Sequence, residues 1–206
     1  VNRKELLALA RERLDDTQLP PLVSDATLTD YYNRAIDEAC LRQRGILDST
    51  SKVCQFQVNA NQRRYVLDPR IIKVGRARVG TTYQPLEPTT IRWLDKNVAN
   101  WDTPGRTNIP QWYYCDQDRG ASINMNLVPT PSLNDKCYLS VWRMPLDSEY
   151  LKNNDDCPPL PIFLHDGLVD WVEHLVKLRR LRTEQRRRRS RRTTFHRALW
   201  RTPERA

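Results

Sequence analysis

The stretch 160–206 constrains this chain most, because an apolar helix pattern passes there directly into a dense run of arginine. In PLPIFLHDGLVDWVEHLVKLRRLRTEQ, Phe163, Leu164, Leu168, Trp171, Val172, Leu175, Leu178 and Leu181 recur at the three-and-four spacing of a buried helix stripe. Pro161 suits a first turn, where a missing N–H costs nothing, and Asp166 suits the positive end of the helix dipole. After Leu181 the apolar face does not return until Phe195, Leu199 and Trp200. From Lys177 onward, 13 lysines and arginines stand against only Glu184 and Glu204, a net +11. The whole chain carries +9, so residues 1–176 hold −2 and the basic character is expected to belong to the tail alone.

The remaining pattern predicts helices at both ends and a sheet between them. Over residues 2–15, Asn2 and Glu5 have capping-box spacing, and Leu6, Leu7, Leu9, Ala10 and Leu14 supply an apolar side. Pro20 and Pro21 break this helix. A second helix runs from about Ser24 to Arg44, with Leu28, Tyr31, Tyr32, Ala35, Ile36, Ala39 and Cys40 on one face and Gly45 as a stop. Its other face, Arg34, Asp37, Glu38, Arg42 and Arg44, is a solvated surface in a monomer and a subunit contact in an assembly.

From about Lys52 the period changes to two. Strands are predicted around CQFQV, RYVL, IIKVGRARV (with a bulge at Gly75), QWYYCD, SINMNLV and KCYLSVWRM, forming an antiparallel sheet of five or six strands. Pro85, Pro88, Pro104, Gly105 and Pro110 make the middle a loop containing one short helix capped by Thr89 or Thr90, with Trp93, Trp101 and Trp112 as packing posts. The expected fold class is α+β: N- and C-terminal helices packed as a bundle, an inserted antiparallel β domain, and an extended basic C-terminal tail. The expected divisions are N-terminal helices over 1–50, the β domain over 51–147, the last bundle helix over 158–185 and the tail over 186–206.

Enzyme chemistry finds no foothold in this pattern. There is no GxxxxGK[ST] or GxGxxG phosphate loop. His165 and His174 are nine positions apart on one helix and point to opposite sides. The acidic pairs Asp15/Asp16, Asp116/Asp118 and Asp155/Asp156 fall in turns, where carboxylates serve the backbone. Five cysteines form no CxxC pair and read as free, mostly buried thiols. No catalytic residue, metal or other cofactor is expected. With no apolar run near the roughly 18 residues needed to span a bilayer and no signal-like N-terminus, a soluble chain without membrane contact is expected.

The arginine run, Arg186, Arg187, Arg188, Arg189, Arg191 and Arg192, then admits three readings. It is a solvated disordered tail, a phosphate-neutralising arm of a nucleic-acid-binding protein, or the basic half of a protein-docking segment anchored by Phe195, Leu199 and Trp200. An aromatic anchor following the charges favours the protein partner.

The order of these signals resembles the head-to-tail adaptor (head-completion, connector) proteins of tailed bacteriophages. The resemblance is carried by DATLTDYYNRAIDEACLRQRGI, by FQVNANQRRYVLDPRIIKVGRARV and by PLEPTTIRWLDKNVANW. It continues in IPQWYYCD, in the proline pair of LVPTP, in the strand ending in WRMPL, and in the return through Ile162, His165, Gly167, Leu168 and Trp171. The tail is denser in arginine than that pattern leads one to expect. The resemblance implies a non-enzymatic structural protein of the virion neck, made in the host cytoplasm. It implies a ring, of twelve copies in such proteins, beneath the portal protein, extending the channel for packaged DNA and presenting a surface to tail or nozzle proteins. By the same analogy the tail residues Arg186 to Arg192 with Phe195, Leu199 and Trp200 dock on the portal, and Arg34, Asp37, Glu38 and Arg42 become ring contacts.

Overall fold

In the computed structural model, residues 1–199 are described except 44, 81–83, 104–106 and 118–121, with side chains described to 182. Helix α1, Arg3–Arg13, begins where the sequence places a cap: the Asn2 side chain accepts from the Glu5 N–H, and the Glu5 carboxylate accepts from the Asn2 N–H. Helix α2 is Asp25–Arg42, and Gly45 follows it at φ +84°, a left-handed conformation that glycine adopts without strain. A Cβ at Gly45 would also lie 2.6 Å from the Arg143 carbonyl oxygen, so the position is fixed twice over. Helix α3, Ile91–Asn97, is capped by the Thr90 hydroxyl, and helix α4 is His165–Leu199.

The chain divides into two compact units, Val1–Ala35 with the segment from Leu151 onward, and Ile36–Tyr150; the division falls within α2. In the first unit, Leu6, Leu7, Ala10, Leu28, Tyr32, Leu168, Val169, Val172 and Val176 are buried. The Tyr32 hydroxyl donates to the Leu6 carbonyl (2.7 Å), tying α2 to α1, and Arg13 pairs with Asp170, tying α1 to α4. The α4 stripe is rotated from the expected one. Phe163 is 75% exposed and Leu181 56%, whereas Val169 and Val176, absent from the expected stripe, are buried. Eight apolar positions span a wider arc than the packed elements cover, so the ends of the pattern face outward.

The second unit holds ten strands among the described residues: β1 Ile46–Asp48, β2 Gln55–Val58, β3 Arg64–Val66, β4 Ile71–Val79, β5 Gln84–Pro88, β6 Thr107–Asn108, β7 Trp112–Gln117, β8 Ile123–Val128, β9 Thr130–Pro131 and β10 Asp135–Arg143. Eight form one sheet in the order β1-β10-β4-β5-β7-β8-β3, with β2 also paired to β10, and β6 pairs with β9. The fold class is α+β, as expected, but the sheet is larger and not wholly antiparallel. β5 and β7 run parallel, with Glu87 opposite Trp112, and β6 and β9 are also parallel. The connection through α3 brings the chain back beside Glu87, where β7 starts alongside the last residues of β5, the crossover that parallel pairing requires. β5 itself was hidden because its sequence, QPLEP, carries two prolines that read as loop.

Alternation is clearest in β10, where Cys137, Leu139, Val141 and Arg143 are buried and the intervening residues are partly exposed. The bulge at Gly75 is present: Ser140 pairs with Arg76 and Val141 with Val74, leaving Gly75 as the extra residue. Its lack of a side chain matters there, because a Cβ would lie 2.5 Å from the Trp142 ring.

Candidate docking surfaces

Three sets of polar groups could carry function, and most are already occupied within the chain. At the inward end of β10, Arg143 is 4% exposed and directs its guanidinium fork at Glu149, each Nη 2.7 Å from a carboxylate oxygen, while Nε donates to Asp48. The Glu149 carboxyl is held below its ordinary range, chiefly by the Arg143 hydrogen bonds. Burial alone would raise Asp48, but hydrogen bonds from Ser51, Thr50 and Arg143 overcome it and push the carboxyl well down. This is an ionic knot in which each guanidinium nitrogen of Arg143 has a carboxylate partner. It escaped the sequence reading, although Arg143 stands in phase with Cys137, Leu139 and Val141, and an inward arginine needs buried acids.

In two of the acidic pairs one member serves the backbone. Asp16 accepts from the Leu22 and Val23 N–H groups and pairs with Arg11; burial would raise its pKa, but these partners hold it below the usual value. Asp156 accepts from the Lys152 and Asn153 N–H groups, and Asp116 from the Asn126 amide. Asp118 lies outside the described residues. His165 is buried with Nε2 3.1 Å from the Leu160 carbonyl, and His174 is exposed. Among the described residues no three His, Cys, Asp or Glu side chains gather as a metal site, and no helix is long and apolar enough to cross a membrane. Cys40, Cys54 and Cys137 are buried thiols, and Cys115 and Cys157 are exposed ones.

The tryptophans pack the irregular middle. Trp101 meets Tyr114 edge-on at 5.9 Å, lies under the Arg63 guanidinium and donates to Asp95, and Trp93 lies 5.9 Å from Trp112.

The third set is the charged surface at the two ends of the chain. On α2, Arg34 pairs with Asp30 (3.0 Å) and Arg42 with Glu38 (2.8 Å), with both arginines well exposed. Asp37 accepts from the Tyr150 hydroxyl at 2.7 Å. Among the described side chains of α4 the last buried one is Val176, and from Lys177 to Arg182 every side chain is exposed except the half-buried Leu178. The helical backbone nonetheless continues to Leu199 through the arginine run; Trp200 lies outside the described residues. A surface of exposed charge is suited to holding other macromolecules.

The family model of the SU10 adaptor protein matches residues 1–202, nearly the whole chain. The chain belongs to the SU10 adaptor protein family. It is therefore a phage structural adaptor of the head-to-tail kind, associated with other phage head or tail proteins in the virion. No curated protein matches it. The matched span of this SU10 adaptor protein runs through both helical ends, the β unit and the arginine run, so the tail is part of the family pattern.

Proposed function

We propose that this SU10 adaptor protein forms a ring, of about twelve copies by analogy with head-to-tail adaptors, that docks on the portal protein and joins head to tail around the DNA channel. In this reading the packed terminal helices, 1–50 and 158–185, build the ring; Arg34, Asp37, Glu38 and Arg42 meet the neighbouring subunit; and the β domain, 51–147, faces tail or nozzle proteins. The tail, 186–206, reaches the portal with Phe195, Leu199 and Trp200 as apolar anchor and Arg186, Arg187, Arg188, Arg189, Arg191 and Arg192 as its charged flank.

The observation that carries this reading is the mismatch along α4. The helix and the family match both run on past Val176, the last buried residue of α4 among the described side chains. A helix kept far beyond its own core has its partner elsewhere, and a basic, aromatic-tipped segment suits a groove with acidic walls and an apolar floor.

The test is co-sedimentation with a purified portal ring at low and high salt. Full-length protein is expected to bind, protein truncated after Gln185 to fail, and Phe195→Ala/Trp200→Ala to lose the salt-resistant part. If no form binds the portal and the full-length chain instead retains duplex DNA at low salt, the tail is a nucleic-acid arm and the docking assignment falls.

A further inference from the structure

The structure segregates charge within residues 1–176 in a way that their net −2 conceals. In the register of β4 against β10, Trp142 lies opposite Lys73, Ser140 opposite Arg76 and Tyr138 opposite Arg78, while Leu139 and Val141 pair with the inward Ala77 and Val74. Lys136, two residues before Tyr138, shares the outward side. Four cations, Lys73, Arg76, Arg78 and Lys136, thus occupy one face of two neighbouring strands, and three of them are exposed, with Arg78 half-buried. On this face of β4 and β10 the register places no carboxylate; the adjoining β5 carries Glu87 on the same side.

Aromatic rings lie against two of these cations. The Lys73 ammonium lies 5.5 Å from the Trp142 ring centre and the Arg78 guanidinium 5.1 Å from that of Tyr138. The Gly75 bulge leaves the space that the Trp142 ring occupies. Rings beneath long basic side chains restrict their rotamers, which lowers the entropy lost when the charges meet a partner. Outward residues along a strand recur about 7 Å apart, so the face repeats positive charge along the strands with aromatic rings between.

We propose that this β4–β10 face binds the phosphate backbone of duplex DNA. A repeated set of cations complements a repeating polyanion, and the binding is sequence-independent and driven by counterion release. It rests on the adaptor reading only for the source of the DNA, the genome passing through the neck. The sheet face is built on β4 and β10, whereas the arginine run follows in the sequence of α4.

The experiment is fluorescence anisotropy of the full-length chain on a labelled duplex of about 30 base pairs across a salt series, read as the slope of log affinity against log salt. Lys73→Gln/Arg76→Gln/Lys136→Gln, with the tail intact, is expected to lower the slope by about 2 to 3, since each lost phosphate contact removes about 0.9. Lys73→Arg/Lys136→Arg keeps the wild-type slope, as does Arg92→Gln/Lys96→Gln on α3. The proposal is overturned if the triple variant keeps the wild-type slope. It is equally overturned if the arginine swap or the α3 variant lowers the slope as much as the triple variant, because packing or total charge is then responsible. Should the triple variant bind DNA normally yet lose association with a purified tail protein, the face is a protein-docking surface. Portal co-sedimentation of the same variant separates this proposal from the neck assignment, which fails only if portal binding is absent in the wild type.

Discussion

At the scale of single residues, Arg143 shows how one buried charge makes the β unit sensitive to acid. Its partners Asp48 and Glu149 both have pKa values below those of the unfolded chain, so the unfolded state binds protons more readily. Their contribution is full above the ordinary carboxylate range, about pH 4, and drains away as pH falls toward the lowered folded values. Arg143→Met leaves two acids without their cation and is expected to cost about 3 to 5 kcal/mol at neutral pH. In the variant the acids gain by protonation, so the gap between its melting temperature and that of the wild type narrows from pH 7 to pH 4. Thermal melts of both proteins across that interval check it, and a gap independent of pH would assign the loss to packing. The sequence held half of this: the inward phase of Arg143 is visible in KCYLSVWR, but Asp48 and Glu149 are brought to it only by the pairing of β1 with β10 and by the turn after it.

At the scale of elements, local signals were legible wherever one residue type serves one geometry. Asn2 with Glu5 and Thr90 before α3 act as their chemistry requires, without help from distant parts of the chain. What depended on neighbours was not legible. β5 is a strand despite Pro85 and Pro88, because Leu86 pairs with Ala77 and Glu87 with Trp112, and the face of α4 that is buried depends on what lies against it. The α4 difference is measurable. Leu168, 2% exposed, and Leu181, 56% exposed, stand in the same sequence stripe. Leu168→Ala is expected to cost about 2 to 5 kcal/mol by emptying a packed site, while Leu181→Ala stays within about 0.5 kcal/mol. Chemical denaturation of the two variants decides it; equal losses would mean that the packed stripe extends to Leu181.

At the scale of the whole molecule, net charge misled where charge placement did not. The count that assigned all basic character to the tail was correct arithmetic, yet Lys73, Arg76, Arg78 and Lys136 gather on one sheet face because β4 and β10 lie side by side, which composition cannot express. The ring assignment depends on placement in the same way. Arg42 and Glu38 satisfy each other on one helix face, so removing either would disturb both the helix and any neighbour. Glu38→Arg/Arg42→Glu keeps an i,i+4 pair, at a cost of only about 0.5 kcal/mol, while reversing the order of charge offered to an adjacent subunit. If that face is a ring contact, the swapped protein melts as the wild type does but no longer assembles on the portal, because like charges now meet across each of the repeated interfaces and the small penalty of one contact is multiplied around the ring. Sedimentation velocity with portal present reads the outcome. Wild-type assembly by the swapped protein would remove Glu38 and Arg42 from the ring contact and return that helix face to solvent.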